Sequence, residues 1–330
     1  MRLTKKLSSL FLACGLVFSA TAAQAESLEP KRPECVAPAQ PGGGFDLTCR
    51  IAVSSFQKSG ALSSPMRTIY MPGGIGAVAY NNIVAQRRGD PDAIVAFSGG
   101  SLLNLAQGKF GRYGVDDVRW LASVGTDYGS LMVKADSPYK TLDDLIQALK
   151  TDPSKVVFGA GGSIGSQDWM VVALTGQAAD VDYKKLRFVA FEGGGEVSTA
   201  LSGNHVQIVS TGAAEAVAAI TGGSDMRVLT VFSEERLPGL LEEVPTATEL
   251  GYDIVWPIIR GFYVGPDVTD EQYDWWVNAF NELYKTEGYK EIQQQQGLFP
   301  HELAGQELSD YVKESVKGYA ELAESFGLIR

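Results

Sequence analysis

Five glycine clusters carry the chemistry this sequence can do. Pro41-Gly42-Gly43-Gly44-Phe45-Asp46, Pro72-Gly73-Gly74-Ile75-Gly76, Ser98-Gly99-Gly100-Ser101, Gly159-Ala160-Gly161-Gly162-Ser163-Ile164-Gly165 and Glu192-Gly193-Gly194-Gly195-Glu196 each follow a strand pattern and precede a helical one. Such a junction leaves free backbone N–H groups at the positive end of a helix, and glycine lets a ligand approach that backbone closely. One loop of this kind is weak evidence, because turns need glycine anyway. Five at equivalent places, at the carboxyl ends of strands where open α/β sheets bind ligands, describe a pocket of backbone donors suited to an anion.

Three sharper motifs compete with that reading. Gly74-Ile75-Gly76-Ala77-Val78-Ala79 fits the dinucleotide pattern G-x-G-x-x-A, but it opens the second strand–helix unit rather than the first. Gly161-Gly162-Ser163-Ile164-Gly165 fits the G-x-S-x-G nucleophile elbow, so an exported hydrolase using Ser163 is the competing enzyme. A triad then needs a histidine, and the only two are His205, before a strand at a turn, and His301, beside Pro300. No G-x-x-x-x-G-K-[ST] phosphate loop occurs. No histidine lies within ligand spacing of a cysteine, so neither a metal site nor a cofactor is expected.

Short apolar strands alternate with helical patterns, which is how an α/β sheet reads. Strands are expected at 34–39, 66–71, 93–97, 119–124, 131–134, 156–159, 186–191, 206–210 and 227–232. Helices are expected at 46–58, 77–86, 102–107, 141–150, 168–176, 197–201 and 213–220, then 270–284 and 306–324 in a mostly helical end. Thr141 followed by Asp144 approximates a capping box. The run Gln293 to Gln296 reads as a solvated helix face. No linker rich in proline or serine divides the chain, so two domains would be joined by crossing strands.

Residues 1–25 read as a signal peptide. Arg2, Lys5 and Lys6 precede an apolar stretch, and Ala23-Gln24-Ala25 has the form of a cleavage site. Cleavage after Ala25 would leave 305 residues, with 25 basic against 39 acidic side chains and a net charge of −14. That excludes a broad electropositive surface for nucleic acid. With 45% hydrophobic residues the chain has ample core for about two domains. Cys14 leaves with the leader, and Cys35 and Cys49 suggest one disulfide, two free buried thiols being the other reading.

Taken together, Pro38 to Asp46, Met71-Pro72-Gly73-Gly74, Phe191 to Glu196, Val228 to Arg236 and Val244-Pro245-Thr246 resemble the periplasmic solute receptors of tripartite tricarboxylate transporters. The resemblance runs in order through the whole mature chain. Phe97 to Ser101, Ser163 to Trp169 and Trp256 to Phe262 look like the citrate and tricarballylate branch, and Gln167-Asp168-Trp169 stands where many relatives carry a histidine. The resemblance implies a two-lobed, type II-like periplasmic binding protein. Each lobe would be a twisted mixed sheet flanked by helices, with ligand held in the cleft. Residues 26–126 and 256–330 would form one lobe and 127–255 the other. It also implies binding of a small tri- or dicarboxylate and its delivery to membrane permease subunits; a monomer is expected, and a receptor that also docks on a sensor kinase is a third reading. Carried over by position, ligand contacts fall on Gly43, Gly44, Phe45 and Asp46, and on Gly162, Ser163, Ser166, Gly194 and Gly195. From the residues themselves, Ser98, Ser101 and Ser210 are candidate hydroxyl donors. Asp46 is expected to order its loop at the helix start or to bind a ligand hydroxyl, and Phe45 to wall the site. Arg260 interrupts an apolar stretch, and is expected either to clamp a carboxylate or to form a salt bridge between lobes.

Overall fold

The computed structural model describes residues 28–329, so the expected leader, with its cleavage site and Cys14, lies outside the described residues. Strands β1 (Glu34–Ala37), β2 (Arg67–Tyr70) and β3 (Ala93–Ser98) run parallel in the order β2-β1-β3. Each is followed by a helix: α1 (Gly44–Ser59), α2 (Ala77–Gln86) and α3 (Gly99–Ala106). The next strand, β4 (Arg119–Lys134), is the spine of the molecule. It leads through α4 (Leu142–Thr151) into β5 (Val157–Gly161), α5 (Gln167–Ala178), β6 (Arg187–Phe191), α6 (Gly194–Ser202), β7 (Ile208–Gly212), α7 (Ala213–Thr221) and β8 (Met226–Val231). The chain returns along β9 (Pro257–Val264) and ends in α8 (Asp270–Tyr284), α9 (Glu287–Gln295) and α10 (Gln306–Ser325).

The sheet order β2-β1-β3-β9-β4-β7-β5-β6, with β8 also on β4, makes one mixed sheet of two halves. Strands β9 and β4 are antiparallel to their neighbours and join the halves. In β1, Cys35 and Ala37 pack into one apolar cluster and Val36 into another, the two-residue alternation of a strand covered on both faces. The other half is likewise covered twice, by α4 and α5 on one side and α6 and α7 on the other. The disulfide between Cys35 and Cys49 is formed, with Cα atoms 5.6 Å apart, and ties β1 to α1 around the first glycine loop. Converting both cysteines to serine is expected to lower the unfolding free energy by about 3 kcal/mol, because the closed loop is about 15 residues long. Urea denaturation measures this, and a loss below about 1 kcal/mol would show that the bond constrains the unfolded chain little.

Two expectations need correction. The two short strands at 119–124 and 131–134 are one 16-residue strand. The glycines between them do not form a turn, because the segment stays paired, with β9 as far as Tyr128 and with β7 from Gly129, and Gly125, at φ 133°, absorbs a register shift. Gln293 is not on a solvated face. It is buried, and its amide donates to Val124 O at 2.9 Å and Glu302 Oε1 at 2.7 Å. Leu308 and Val312 of α10 pack on the first half, and Leu322 and Phe326 on the second, where Phe326 meets Trp169 and Tyr183.

Candidate functional site

Five helix N-termini converge on the seam between the halves. Gly43, Gly44 and Phe45 at the start of α1 and Ser98 and Gly100 at the start of α3 face Ser166, Gln167 and Asp168 of α5 across an inner cavity of about 60 Å³. Gly193 before α6, Glu215 in the first turn of α7 and Arg260 from β9 complete its wall. That volume holds only a few waters. An adjoining cavity of about 450 Å³ shares Ile75, Ser166 and Glu192 with it and adds Asn104, Lys109, Gly162 and Ser163. Polar bonds draw the seam together: Gly100 N–H donates to Gln167 Oε1 at 2.7 Å, Gln107 Nε2 to Gly165 O at 2.6 Å and Lys109 Nζ to Ile164 O at 2.8 Å.

The structure sorts the residues expected to touch ligand into three groups. Gly43, Gly44, Phe45, Ser98, Ser166 and Arg260 line the inner cavity, and Gly162 and Ser163 line the outer one. Asp46 and Ser101 sit behind the wall and order it. Asp46 Oδ2 accepts from Gly42 N–H at 2.9 Å and Oδ1 from the Tyr70 hydroxyl at 2.7 Å, so of its two expected roles the loop-ordering one is built. Ser101 and Ser98 form a reciprocal capping box on α3. Ser210 and Gly195 lie elsewhere: Ser210 is buried within β7 with its hydroxyl unpartnered, and Gly195 lies in a shallow groove beside Pro41. Gly194 opens α6 next to Gly193.

Sequence reasoning missed the acids. Asp127, in the middle of β4, is fully buried; its Oδ1 accepts from Tyr128 N–H at 2.8 Å and Ala214 N–H at 3.1 Å, and its Oδ2 from Arg260 Nη2 at 2.7 Å. The same Nη2 reaches Glu215 Oε1 at 3.1 Å. Arg260 is therefore the expected salt bridge between elements of the two halves, and it also faces the cavity. Burial works against its charge, but the two carboxylates outweigh burial and hold its pKa above the ordinary value. Burial raises the Glu215 carboxyl despite Arg260, and the Asp168 carboxyl is pushed up to about 7 by burial and then by the charge of Glu215. The only legible signal for these residues was a lone acid in an apolar strand and another in an alanine-rich helix start.

Nothing in this geometry builds a triad. Ser163 faces the outer cavity, while His301 lies beside Tyr311 with Nε2 buried and unpartnered. Among the described residues no group of three or more His, Cys, Asp or Glu side chains could hold a metal ion. No helix of the described residues is long and apolar enough to cross a membrane.

Known proteins share this architecture. A solved structure described as that of a periplasmic transporter superposes with a TM-score of 0.80 at 16% identity, covering 90% of this chain and 98% of that one. The periplasmic binding protein BugD gives 0.79 at 20% identity, covering 91% and 99%. MatC from Rhodopseudomonas palustris, solved with bound malate, gives 0.76 at 19%, covering 88% and 98%. These establish the periplasmic binding protein fold. In sequence, the chain is 25% identical over 220 residues to the "UPF0065 protein in gbd 5′region" of Cupriavidus necator, a match spanning 66% of this chain and 64% of that protein. It is 23% identical over 316 residues to a UPF0065 protein of Bordetella pertussis, covering 95% of each. The family signature of the tripartite tricarboxylate transporter family receptors matches residues 90–328, taking in β3 through α10 and most of the cleft wall, and the chain belongs to that family of receptors, as a binding protein and not an enzyme.

Proposed function

We propose that this receptor is exported to the periplasm, loses residues 1–25 there, and captures a tricarboxylate of the citrate or tricarballylate type for a membrane permease. Residues 26–126 and 256–330 would act as one lobe and 127–255 as the other, closing over the ligand about the crossing strands β4 and β9. The observation that carries the reading is the convergence of the α1, α3, α5 and α6 starts on one cleft, since helix N-termini offer backbone N–H donors and a dipole that favours negative charge. Charge-assisted bonds of this kind contribute about 1.5–3 kcal/mol each. Arg260 adds a buried Nε–H that makes no other hydrogen bond, and Lys109 stands at the mouth of the outer cavity. The small inner cavity means that ligand enters an opened form of the cleft. The protein would act as a monomer, and the liganded form could also be read by a sensor kinase.

A second reading has its own support. MatC was solved with malate and a further R. palustris relative in fold with adipate, both dicarboxylates, which favours a C4-dicarboxylate or another organic acid as ligand. Calorimetric titration with citrate, tricarballylate, malate and succinate separates the two. The tricarboxylates are expected to bind at least about tenfold more tightly, a difference of about 1.4 kcal/mol. The reverse order would establish the dicarboxylate reading, and binding of none of the four would end both.

A further inference from the structure

The inner cavity holds more acid than a carboxylate receptor needs. Asp168, Glu192 and Glu215 line it, and Arg260 is the one base among its lining residues. Arg260 is committed to Asp127 and Glu215, and Glu192 is exposed to solvent. Asp168 is thus left in the wall without a cation of its own. It occupies the second position of α5, where Oδ1 accepts from Gln167 Nε2 at 3.2 Å and Oδ2 lies against Gly161 at the end of β5. Glu215 faces it from α7, Arg260 from β9 and Glu192 from the loop before α6.

We infer that Asp168 receives the ligand as a neutral acid, donating its O–H to a ligand carboxylate, so that capture takes up one proton from solvent. This rests on the carboxylate reading above. The step is a simple balance: the Asp168 carboxylate gains a proton, and that proton then lies in a hydrogen bond between the Asp168 carboxyl and the ligand oxygen. Two carboxylates brought together in a poorly solvated site do not both stay ionised, and sharing a proton converts their repulsion into a hydrogen bond. The free protein is already disposed to this, since burial and Glu215 hold the Asp168 carboxyl well above the ordinary carboxylate range. Gln167 gives the device a structural connection: its Oε1 accepts from Gly100 N–H of the first half while its Nε2 donates to Asp168, so the protonation state of Asp168 bears on the bond that holds the cleft shut.

The test uses whichever of citrate, tricarballylate, malate and succinate binds most tightly. Titrating the wild-type protein at pH 8, in two buffers of different ionisation enthalpy, counts the protons exchanged. About one proton taken up per ligand is expected, with affinity falling about tenfold per pH unit between pH 7.5 and 9. Asp168→Asn supplies a donor at every pH and is expected to abolish the uptake, flatten the profile and bind more than tenfold more tightly than wild type at pH 9. Uptake near zero in the wild-type protein overturns the inference, whether or not the variant folds, and so does an Asp168→Asn protein that keeps the wild-type slope. Binding without proton uptake removes this inference alone, whereas failure of all four ligands removes the carboxylate reading and this inference with it.

Discussion

Arg260→Ala is expected to lower the unfolding free energy by about 3–5 kcal/mol, the cost typical of leaving a buried charge without its partner. Asp127 is 0% exposed and Arg260 2%, so water cannot replace the lost guanidinium. The damage extends beyond one ion pair. Asp127 holds the first turn of α7 to β4 through Ala214 N–H, and Arg260 brings β9 to the same carboxylate. The two strands that join the halves, β4 and β9, and the start of α7 therefore meet at one buried charge. Urea denaturation of the ligand-free protein measures the loss, and adding Asp127→Asn to Arg260→Ala is expected to restore a good part of it, because the amide can sit uncharged in the same place. A loss under about 1 kcal/mol, together with a large fall in ligand affinity, would mean that Arg260 serves the ligand and not the fold.

Gly44→Ala is expected to abolish most of the affinity, by about a hundredfold or 2.7 kcal/mol. A Cβ built on Gly44 collides with Arg260 Nη1 and comes within 2.6 Å of Glu215 Oε1. The side chain it meets is held by two carboxylates in a closely packed seam and cannot swing aside cheaply. Gly193→Ala is the control: a Cβ there meets no atom within 4 Å, and the backbone is extended at φ 176°. It is expected to cost less than about tenfold, or 1.4 kcal/mol. Equal losses in the two variants, measured by calorimetry, would show that any methyl in the cleft is excluded and that the Arg260 position is not the cause.

Much of this protein could be read without coordinates, for a definite reason. The glycine junctions, the Thr141 capping box and the strand–helix alternation depend on residues within a turn or two of one another, and local stereochemistry decides them. The pairing of Cys35 with Cys49 was legible for the same reason, since the partners close a short loop. All five glycine loops reach the cleft, through Gly43 and Gly44, Gly74 and Ile75, Gly100, Gly161 to Ser163, and Gly193, as open α/β sheets place ligand-facing loops at strand ends.

What the tertiary structure alone decided is which charges meet. Asp127, Asp168, Glu215 and Arg260 are scattered over more than a hundred residues, and their meeting depends on sheet register. Arg260 pairs across β9 with Ser98 on one side and Gly125 on the other, while Gly129 of β4 pairs with Gly212, the residue before α7. A shift of one residue in either ladder would turn these side chains to the opposite face. No local pattern records that register. The run of β4 straight through its glycines, and the reach of α10 across both halves, likewise follow from pairing and packing partners far away in sequence. The glycine-rich helix starts that line the cleft are thus written in the chain residue by residue, whereas the acid cluster among them exists only once two antiparallel strands have fixed the two halves in register.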